Sequence, residues 1–195
     1  MVNAKVEHKE YNGGIAGLFE RLRGLQKRHI YVGIPQAKNS RKGGEIGNAD
    51  LLYIHTHGIR RRPMIEEMDQ NMARGLKYSA AFSLYIQSHG SPLWHSPPRP
   101  VIEPALAANK VRIAAEFKKI YQATASADGD GVERAITRTG LLAQNVCREW
   151  FDDPRNNWPA NSPVTIAKKK SDKPLIDTGA MRKAITYVVR SDDYD

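Results

Sequence analysis

The chain has 195 residues, of which 41% are hydrophobic, and a formal net charge of +9, a composition that excludes a disordered chain and predicts one domain over residues 1–195. Its one cysteine, Cys147, excludes an intramolecular disulfide and is typical of a reducing compartment. No apolar run reaches the roughly 18 residues of a membrane span and the N-terminus has no signal-peptide stretch, so we expect a soluble cytoplasmic product without a membrane partner.

Four elements are predicted in the first 58 residues. Apolar residues at helical spacing predict an amphipathic helix over residues 14–28; they are Ile15, Leu18, Phe19, Leu22 and Leu25. The alternating HIYVGIP (29–35) predicts a short strand that ends at its proline. Turn formers without periodicity predict an exposed loop over residues 36–47. Residues 48–58 then predict a capped helix.

The middle of the chain predicts one long helix, an extended segment and a further helix. Apolar residues from Ile65 to Leu84 favour a single helix over residues 64–88. SPPRP (96–100) predicts an extended segment, because each proline fixes its own φ and restricts the preceding residue. Pro104 is well placed as the first residue of a helix that runs to about residue 124.

The last third predicts one more long helix and little further regular structure before the C-terminal motif. Residues 125–131 predict a loop, and apolar steps of three and four residues then predict a helix that ends at Trp150. Residues 152–163 are irregular, and VTIAKKK predicts a short strand or extended segment. Residues 191–195 are expected to form a frayed tail.

The C-terminal motif KPLIDTGAMRKAITYVV contains the tripeptide Asp177-Thr178-Gly179. Either the acid or the hydroxyl can accept hydrogen bonds from the N–H groups that follow, and the glycine permits a sharp bend. The motif therefore predicts a turn, a short helix over residues 179–184 and a strand from residue 185 to residue 189. Arg182 and Lys183 are expected on an outer surface.

One heptapeptide occurs twice, as LYIHTHG at residues 52–58 and as LYIQSHG at residues 84–90. A single repetition does not indicate a solenoid, which needs at least about three units. We interpret the repeat as two helices with the same ending, since a histidine before a helix-ending glycine can meet the free carbonyl groups. The helix-end signals are His57, Gly58, His89 and Gly90.

Three histidines, His55, His57 and His89, with His95 as a further ligand, also permit the hypothesis of a metal site. Metal-binding histidines on a helix usually stand four residues apart on one face. Two residues apart, they point about 200° from one another. The helix predicted here therefore argues against a shared site, and we expect no metal and no cofactor.

No arrangement in the sequence calls for an enzyme. Cys147 lies in an apolar helix without an evident base, so a small buried side chain is expected. The Gly-rich phosphate loop, the HExxH helix and the G-x-S-x-G elbow are all absent from the sequence. The basic runs Arg60–Arg62 and Lys168–Lys170 could contact phosphates, yet no aromatic residues alternate with them as in a base-stacking platform. We interpret these runs as solvated loops.

Three stretches in order carry a family resemblance: NADLLYIHTHG (48–58), HGSPLWHSPPRPVIEPAL (89–106) and NSPVTIAKKKSDKPLIDTGAMRKAITYVV (161–189). Together they resemble the bacteriophage tail-completion, or head-tail joining (neck), family of virion proteins. In that family a helix that ends in glycine leads into a Pro-Pro-Arg-Pro segment, and a Leu-X-Asp-Thr-Gly segment lies near the C-terminus. Either Gly58 or Gly90 matches this helix end, and Gly90 is the better match. Where many relatives have a short loop, this chain has an extra helical insertion at about 59–88.

The resemblance implies an α+β fold, with a small, mostly antiparallel sheet packed against several amphipathic helices. It implies a structural virion protein without catalytic residues, which forms a ring with copies of itself at the head-tail junction or the tail end. Its partners would be portal, connector or tail-tube proteins, with non-specific contact to packaged DNA, and it would pass through the host cytoplasm during assembly. The motif and possible interface residues are Pro97, Pro98, Arg99, Pro100, Pro104, Asp177, Thr178, Gly179 and Arg182.

Two alternative functions remain open. The basic composition, with a pI of about 9.7, is typical of a nucleic-acid-binding protein. A metal-dependent hydrolase that uses His55, His57 and His89 is the less favoured alternative.

Overall fold

The computed structural model describes residues 14–41, 46–59, 62–89 and 96–192. Gly90, His95 and the last three residues of the predicted tail lie outside this part of the chain. The backbone contacts divide the chain into two compact units. Unit 1 comprises residues 1–32, 109–144 and 187–195, and unit 2 comprises residues 33–108 and 145–186. The expectation of one domain stays a prediction.

Helices predominate, and the strands form one small antiparallel sheet, which confirms the α+β fold class. The helices within the described residues are α1 (Gly14–Gln26), α2 (Asn48–His57), α3 (Arg62–Ala73), α4 (Tyr78–His89), α5 (Ile102–Ala108), α6 (Lys110–Ala125), α7 (Gly129–Glu149), α8 (Pro163–Lys169) and α9 (Ala180–Ala184). The two strands are β1 (Arg28–Gly33) and β2 (Thr186–Ser191).

Unit 1 has its own hydrophobic core beneath the β1–β2 sheet. Ile120 of α6 and Ala135 and Ile136 of α7 are buried. The apolar residues packed against them are Leu25, Ile30, Val132 and Val189. A Cβ atom at Gly140 would lie 2.2 Å from the ring of Tyr187, so a glycine is required where α7 meets β2. The amphipathic α1 and the alternating β1 agree with the sequence prediction.

The predicted single helix over residues 64–88 is wrong. The chain forms the antiparallel-paired helices α3 and α4 with a turn at Gly75, whose φ is +93°. The reversal lets Met64 and Met68 of α3 pack with Ala81 and Tyr85 of α4 in one buried cluster. A straight helix would leave this apolar surface exposed to water, so tertiary packing overrides the continuous helical pattern.

The predicted strand or extended segment at VTIAKKK is also wrong, because these residues belong to α8. The Ser162 side chain accepts a hydrogen bond from the Thr165 N–H at 3.2 Å, and Pro163 occupies the first turn. A serine cap followed by proline is a strong helix start, and here it outweighs the β-branched residues that favour a strand.

The helix predicted from Pro104 to about residue 124 is two helices. Pro104 lies in the short α5, and α6 begins after Asn109, whose backbone (φ −112°, ψ 14°) is not helical. The loop predicted over residues 125–131 is shorter than expected, since α7 begins at Gly129. Its Asp128 side chain accepts the N–H of Gly131 at 2.8 Å and so stabilises this earlier start.

Candidate functional site

The proline-rich segment of unit 2 lies on the C-terminal end of α2. Ile59 and Ser96 exchange both backbone hydrogen bonds at 2.9 Å, and the N–H of Arg99 donates to the carbonyl of His55 at 2.7 Å. The chain thus leaves this point at Ile59 and returns to it at Ser96, and α3 and α4 lie in between. The carbonyl of His55, in the last turn of α2, is thereby satisfied by a residue that is distant in the sequence.

Gly58 makes this contact possible. Its φ of +72° and ψ of 177° lie in a region that is essentially restricted to glycine. A Cβ atom at this position would lie 2.6 Å from the carbonyl oxygen of Ser96 and 2.8 Å from the nitrogen of Pro98. The predicted helix end at Gly58 is confirmed, and this end receives the proline segment. His89 ends α4.

Arg99 attaches the proline segment to a second part of unit 2. Its side chain is 6% exposed. Nε and Nη2 donate to the carbonyl of Pro159 at 3.1 and 2.8 Å, and Nη2 also donates to the carbonyl of Ala160 at 3.1 Å. Burial lowers the pKa of the guanidinium. The indole N–H of Trp158 donates to the carbonyl of Pro100 at 3.1 Å, so two consecutive residues of the segment are held by side-chain hydrogen bonds.

The Asp-Thr-Gly tripeptide forms the corner that the sequence predicts. The Thr178 hydroxyl accepts a hydrogen bond from the Ala180 N–H at 3.3 Å, and Gly179 has a left-handed φ of +74°. The helix α9 and the strand β2 follow. Met181 of α9 is buried, and α9 packs against α2.

Arg182 lies at the surface of unit 2 and is paired with a carboxylate there. Its Nη1 donates to Oδ2 of Asp152 at 2.7 Å, and its side chain is only one-third exposed. Lys173 donates to Oδ1 of the same carboxylate at 2.7 Å. The hydrogen bond from Lys173 and the charges of both cations lower the pKa of Asp152. Arg182 therefore has an intramolecular partner, because α9 brings it beside the end of α7.

A cavity of about 640 Å³ in unit 2 lies between the proline segment and the Asp-Thr-Gly corner. Arg41, Arg99 and Lys169 line it, together with His55 and Asp177. The lining is therefore rich in positive charge and contains residues from widely separated parts of unit 2. Hydroxyl groups are also present in the lining, from Ser79, Ser83, Ser162 and Thr165.

His55 is a neutral histidine in this cavity because it is buried and because cations surround it. Burial, followed by the charges of Arg99, Lys169 and Arg41, lowers the pKa of His55 to about 4. Its Nδ1 is buried without a hydrogen-bond partner among the described residues. Burial also lowers the pKa of Lys169, and Arg99 acts in the same direction, although Asp177 opposes it. Both shifts indicate a cavity that disfavours additional positive charge.

The histidines proposed as metal ligands do not share a site in the described part of the chain. His57 Nδ1 lies 2.9 Å from the carbonyl of Tyr53, and His89 Nε2 lies 2.7 Å from a carboxylate oxygen of Glu67. No group of three or more His, Cys, Asp or Glu side chains within the described residues is arranged to hold a metal ion. The carbonyl contact predicted for a helix-end histidine is present at His57, whereas His89 has a carboxylate partner instead.

Cys147 is fully buried in α7, as the sequence predicts. Burial raises the pKa of its thiol to about 12. A thiol in this environment stays protonated at neutral pH, and it is therefore a packing residue and a poor nucleophile.

Sequence reasoning missed the cationic cavity. It noted Lys169 only as part of a basic run, and it placed Arg41 in an unremarkable polar loop. Residues from four separate segments have no common spacing, so only the folded chain brings them together. One available signal was the arginine within SPPRP, since an arginine between prolines is held in a fixed backbone and usually has a defined partner.

No helix of the described residues has the length and apolar character required to cross a membrane. Comparison of the chain with protein-family models, with curated proteins and with solved structures found no match. Its function is therefore inferred from its own residues.

Proposed function

We propose that this chain is a structural subunit of a bacteriophage or prophage virion, which forms a ring with copies of itself at the head-tail junction or the tail end and has no catalytic role. The observation that carries the proposal is the ordered set of motifs, the helix end at residues 48–58, the proline segment within 89–106 and the Asp-Thr-Gly stretch within 161–189. The geometry supports it, since all three belong to unit 2 and Pro97, Arg99 and Asp177 line one cavity.

The motif residues fix the backbone of unit 2, and this also favours a structural role. Pro97, Pro98 and Pro100 fix the backbone, and Arg99 holds the segment to two carbonyl groups through three hydrogen bonds. Gly58 and Gly179 supply backbone conformations that other residues rarely adopt. A surface that is rigid before assembly loses little conformational entropy when it binds a partner.

Unit 1 carries apolar surface of the kind that a ring subunit needs. Ile15 and Phe19 of α1 are 76% and 59% exposed, and Val111 and Tyr121 of α6 are 85% and 56% exposed. Large exposed apolar side chains on neighbouring helices are typical of interaction surfaces. A subunit in a ring presents two different surfaces to its neighbours, and each must bury apolar area beyond the subunit's own core.

The charge of the chain agrees with the proposed environment. A net charge of +9 favours contact with polyanions, which include packaged DNA and acidic surfaces of portal or tail proteins. The excess of positive charge is expected to steer assembly and to weaken it as salt is added, because long-range attraction is screened.

Localisation in particles tests the proposal directly. Antibodies against this chain, detected by gold labelling in electron micrographs of purified virions, should label the neck or the tail end of each particle. Class averages of the assembled chain should show a closed ring. Absence of the chain from mature particles would end the proposal, and so would labelling spread evenly over the capsid. Capsid and tail proteins of known position in the same particles provide the control labels.

A further inference from the structure

We propose that the cationic cavity of unit 2, formed around Arg41, His55, Arg99 and Lys169, is a binding site for a phosphate group. The inference concerns the folded subunit by itself and does not depend on where the subunit is located.

Arg99 provides the first reason. A guanidinium has five N–H donors. Three of the hydrogen bonds that Arg99 makes go from Nε and Nη2 to the carbonyl groups of Pro159 and Ala160, and the same side chain lines the cavity. No carboxylate of the described residues pairs with this buried side chain. A buried charge that is paired only with neutral carbonyls is costly, and an anion in the cavity would compensate it.

The other cations of the cavity provide the second reason. Lys169 and Arg41 line the same space as Arg99, and their charges act together on His55. Asp177 is the one carboxylate of the lining among the described residues, and it is exposed. Three cations around one space repel each other, and an anion between them would reduce this repulsion.

The arrangement of the donors favours phosphate over a carboxylate. A carboxylate is best bound by the parallel N–H groups of an arginine fork. In Arg99 the Nε and Nη2 groups that form one edge of this fork are already used by the carbonyl groups. The charged donors around the cavity come from Arg99, Arg41 and Lys169, which belong to three separate segments. The Ser83 hydroxyl already donates to the carbonyl of Ser79, and Lys169 uses one of its three N–H donors on the carbonyl of Lys173. Charged donors from several directions match the tetrahedral oxygens of phosphate, and a volume of about 640 Å³ also admits the group that carries the phosphate.

Titration of the full chain with inorganic phosphate, against chloride at equal ionic strength, tests the site. Calorimetry should give one binding site per chain. Lys169→Gln and Arg41→Gln should each raise the dissociation constant for phosphate at least about tenfold. A hydrogen bond to a charged group contributes at least about this much to affinity. Lys168→Gln is the matched control. It removes the same charge from the neighbouring, exposed position of α8, outside the cavity lining, and it should leave the affinity unchanged.

A second measurement reports on the cavity itself. The NMR signal of the His55 ring, followed against pH, should show a higher pKa in phosphate than in chloride, since the anion offsets the charges of Arg99, Lys169 and Arg41. Asp177 is also in the lining, so Asp177→Asn should keep the upward shift. Arg99→Lys is informative only if the variant folds, and the test therefore relies on the variants of Arg41 and Lys169.

Three outcomes would overturn the proposal: no phosphate binding above the chloride control, an equal loss in Lys168→Gln, or a His55 pKa that does not respond to phosphate. A short DNA duplex provides a second arm and identifies the source of the phosphate. If the duplex displaces inorganic phosphate, and if Lys169→Gln lowers the affinity for the duplex by the same factor as the affinity for phosphate, the site accepts a polynucleotide phosphate. If the duplex leaves the bound phosphate in place, the site accepts a free phosphate or a small phosphate ester.

Discussion

The ends of α2 and α4 have nearly the same sequence and very different surroundings. In both, a tyrosine and a histidine four residues apart bring their rings together, with centroids 4.1 Å apart for Tyr53 and His57 and 4.6 Å apart for Tyr85 and His89. Tyr53 is 67% exposed, whereas Tyr85 is 9% exposed in the α3–α4 cluster. The local sequence therefore determines the ring pair, and the tertiary contacts determine what the helix end does.

The difference is clear two positions before the two histidines. In α2 the residue two positions before His57 is His55, which lines the cationic cavity, and the following glycine receives the proline segment. In α4 the equivalent residue is Gln87, which is exposed. The two copies of the heptapeptide thus differ at the position where one of them lines the cavity, and His55 is the residue that distinguishes the two helix ends.

The largest predicted effect is a loss of stability in Gly58→Ala. The new Cβ atom would overlap backbone atoms of Ser96 and Pro98, and alanine disfavours the positive φ, so we expect a loss of more than about 3 kcal/mol in the free energy of unfolding. Gly75→Ala is the matched control, since Gly75 also has a positive φ but nothing lies within 4 Å of its Cβ position. It should cost only about 1 kcal/mol. Urea unfolding measures both, and equal losses would show that the proline segment does not pack on Gly58.

The next largest effect concerns the pH dependence of stability. His55→Gln tests it, because glutamine is the residue at the equivalent position of α4, Gln87. Below pH 6.5 the unfolded chain protonates this histidine, whereas the folded chain keeps it neutral down to about pH 4. Folding therefore loses stability as the pH falls through this range, by about 2 kcal/mol after allowance for partial exposure of the ring. Glutamine does not titrate, so His55→Gln should not show the loss of stability that protonation of His55 causes at low pH. Urea unfolding between neutral pH and about pH 4 measures the difference, and parallel curves for the two proteins would contradict it.

The two helix ends also show how far the sequence predicts this fold. Periodicity correctly predicts α1, β1 and the long α7, and the helix-end signals correctly predict α2, because each element has a strong local pattern. It fails over residues 64–88, where the pattern continues through Gly75 although the chain reverses, since only the packing of Met64 and Met68 against α4 requires the turn. Local patterns do not contain that information.

For the candidate site, the sequence predicts the backbone conformation but not which side chains meet in the cavity. The glycine at the end of α2, the stiff proline segment and the Asp-Thr-Gly corner each have a local conformational signal. The meeting of Arg99 with Arg41 and Lys169 has none, because these residues lie in three distant segments and come together only through tertiary contacts. The sequence therefore predicted the parts that shape the cavity and missed the charges within it.

A moderate effect is expected at the corner that packs beside α2. Gly179 has a φ of +74°, and nothing lies within 4 Å of its Cβ position. Gly179→Val therefore adds strain without a collision, and we expect a loss of about 2 kcal/mol in the free energy of unfolding, since a β-branched residue strongly disfavours this conformation. Gly179→Asn should lose less, because asparagine tolerates the left-handed region. Thermal unfolding ranks the two variants, and a valine variant as stable as the native chain would contradict the corner described here.

The smallest effect is expected at the end of α4, where the histidine has a carboxylate partner. His89 Nε2 and Glu67 Oε2 lie 2.7 Å apart, and the two side chains are 50% and 36% exposed. An exposed pair of this kind contributes little, so Glu67→Gln should change the free energy of unfolding by less than about 0.5 kcal/mol. Glu66→Gln, one residue away and paired with Arg62 instead, is the control. A loss from Glu67→Gln comparable to that from Gly58→Ala would show that the α4 helix end is a site as well. A small loss in both glutamine variants would leave α2 as the helix end on which the fold of unit 2 depends, with the proline segment as the reason.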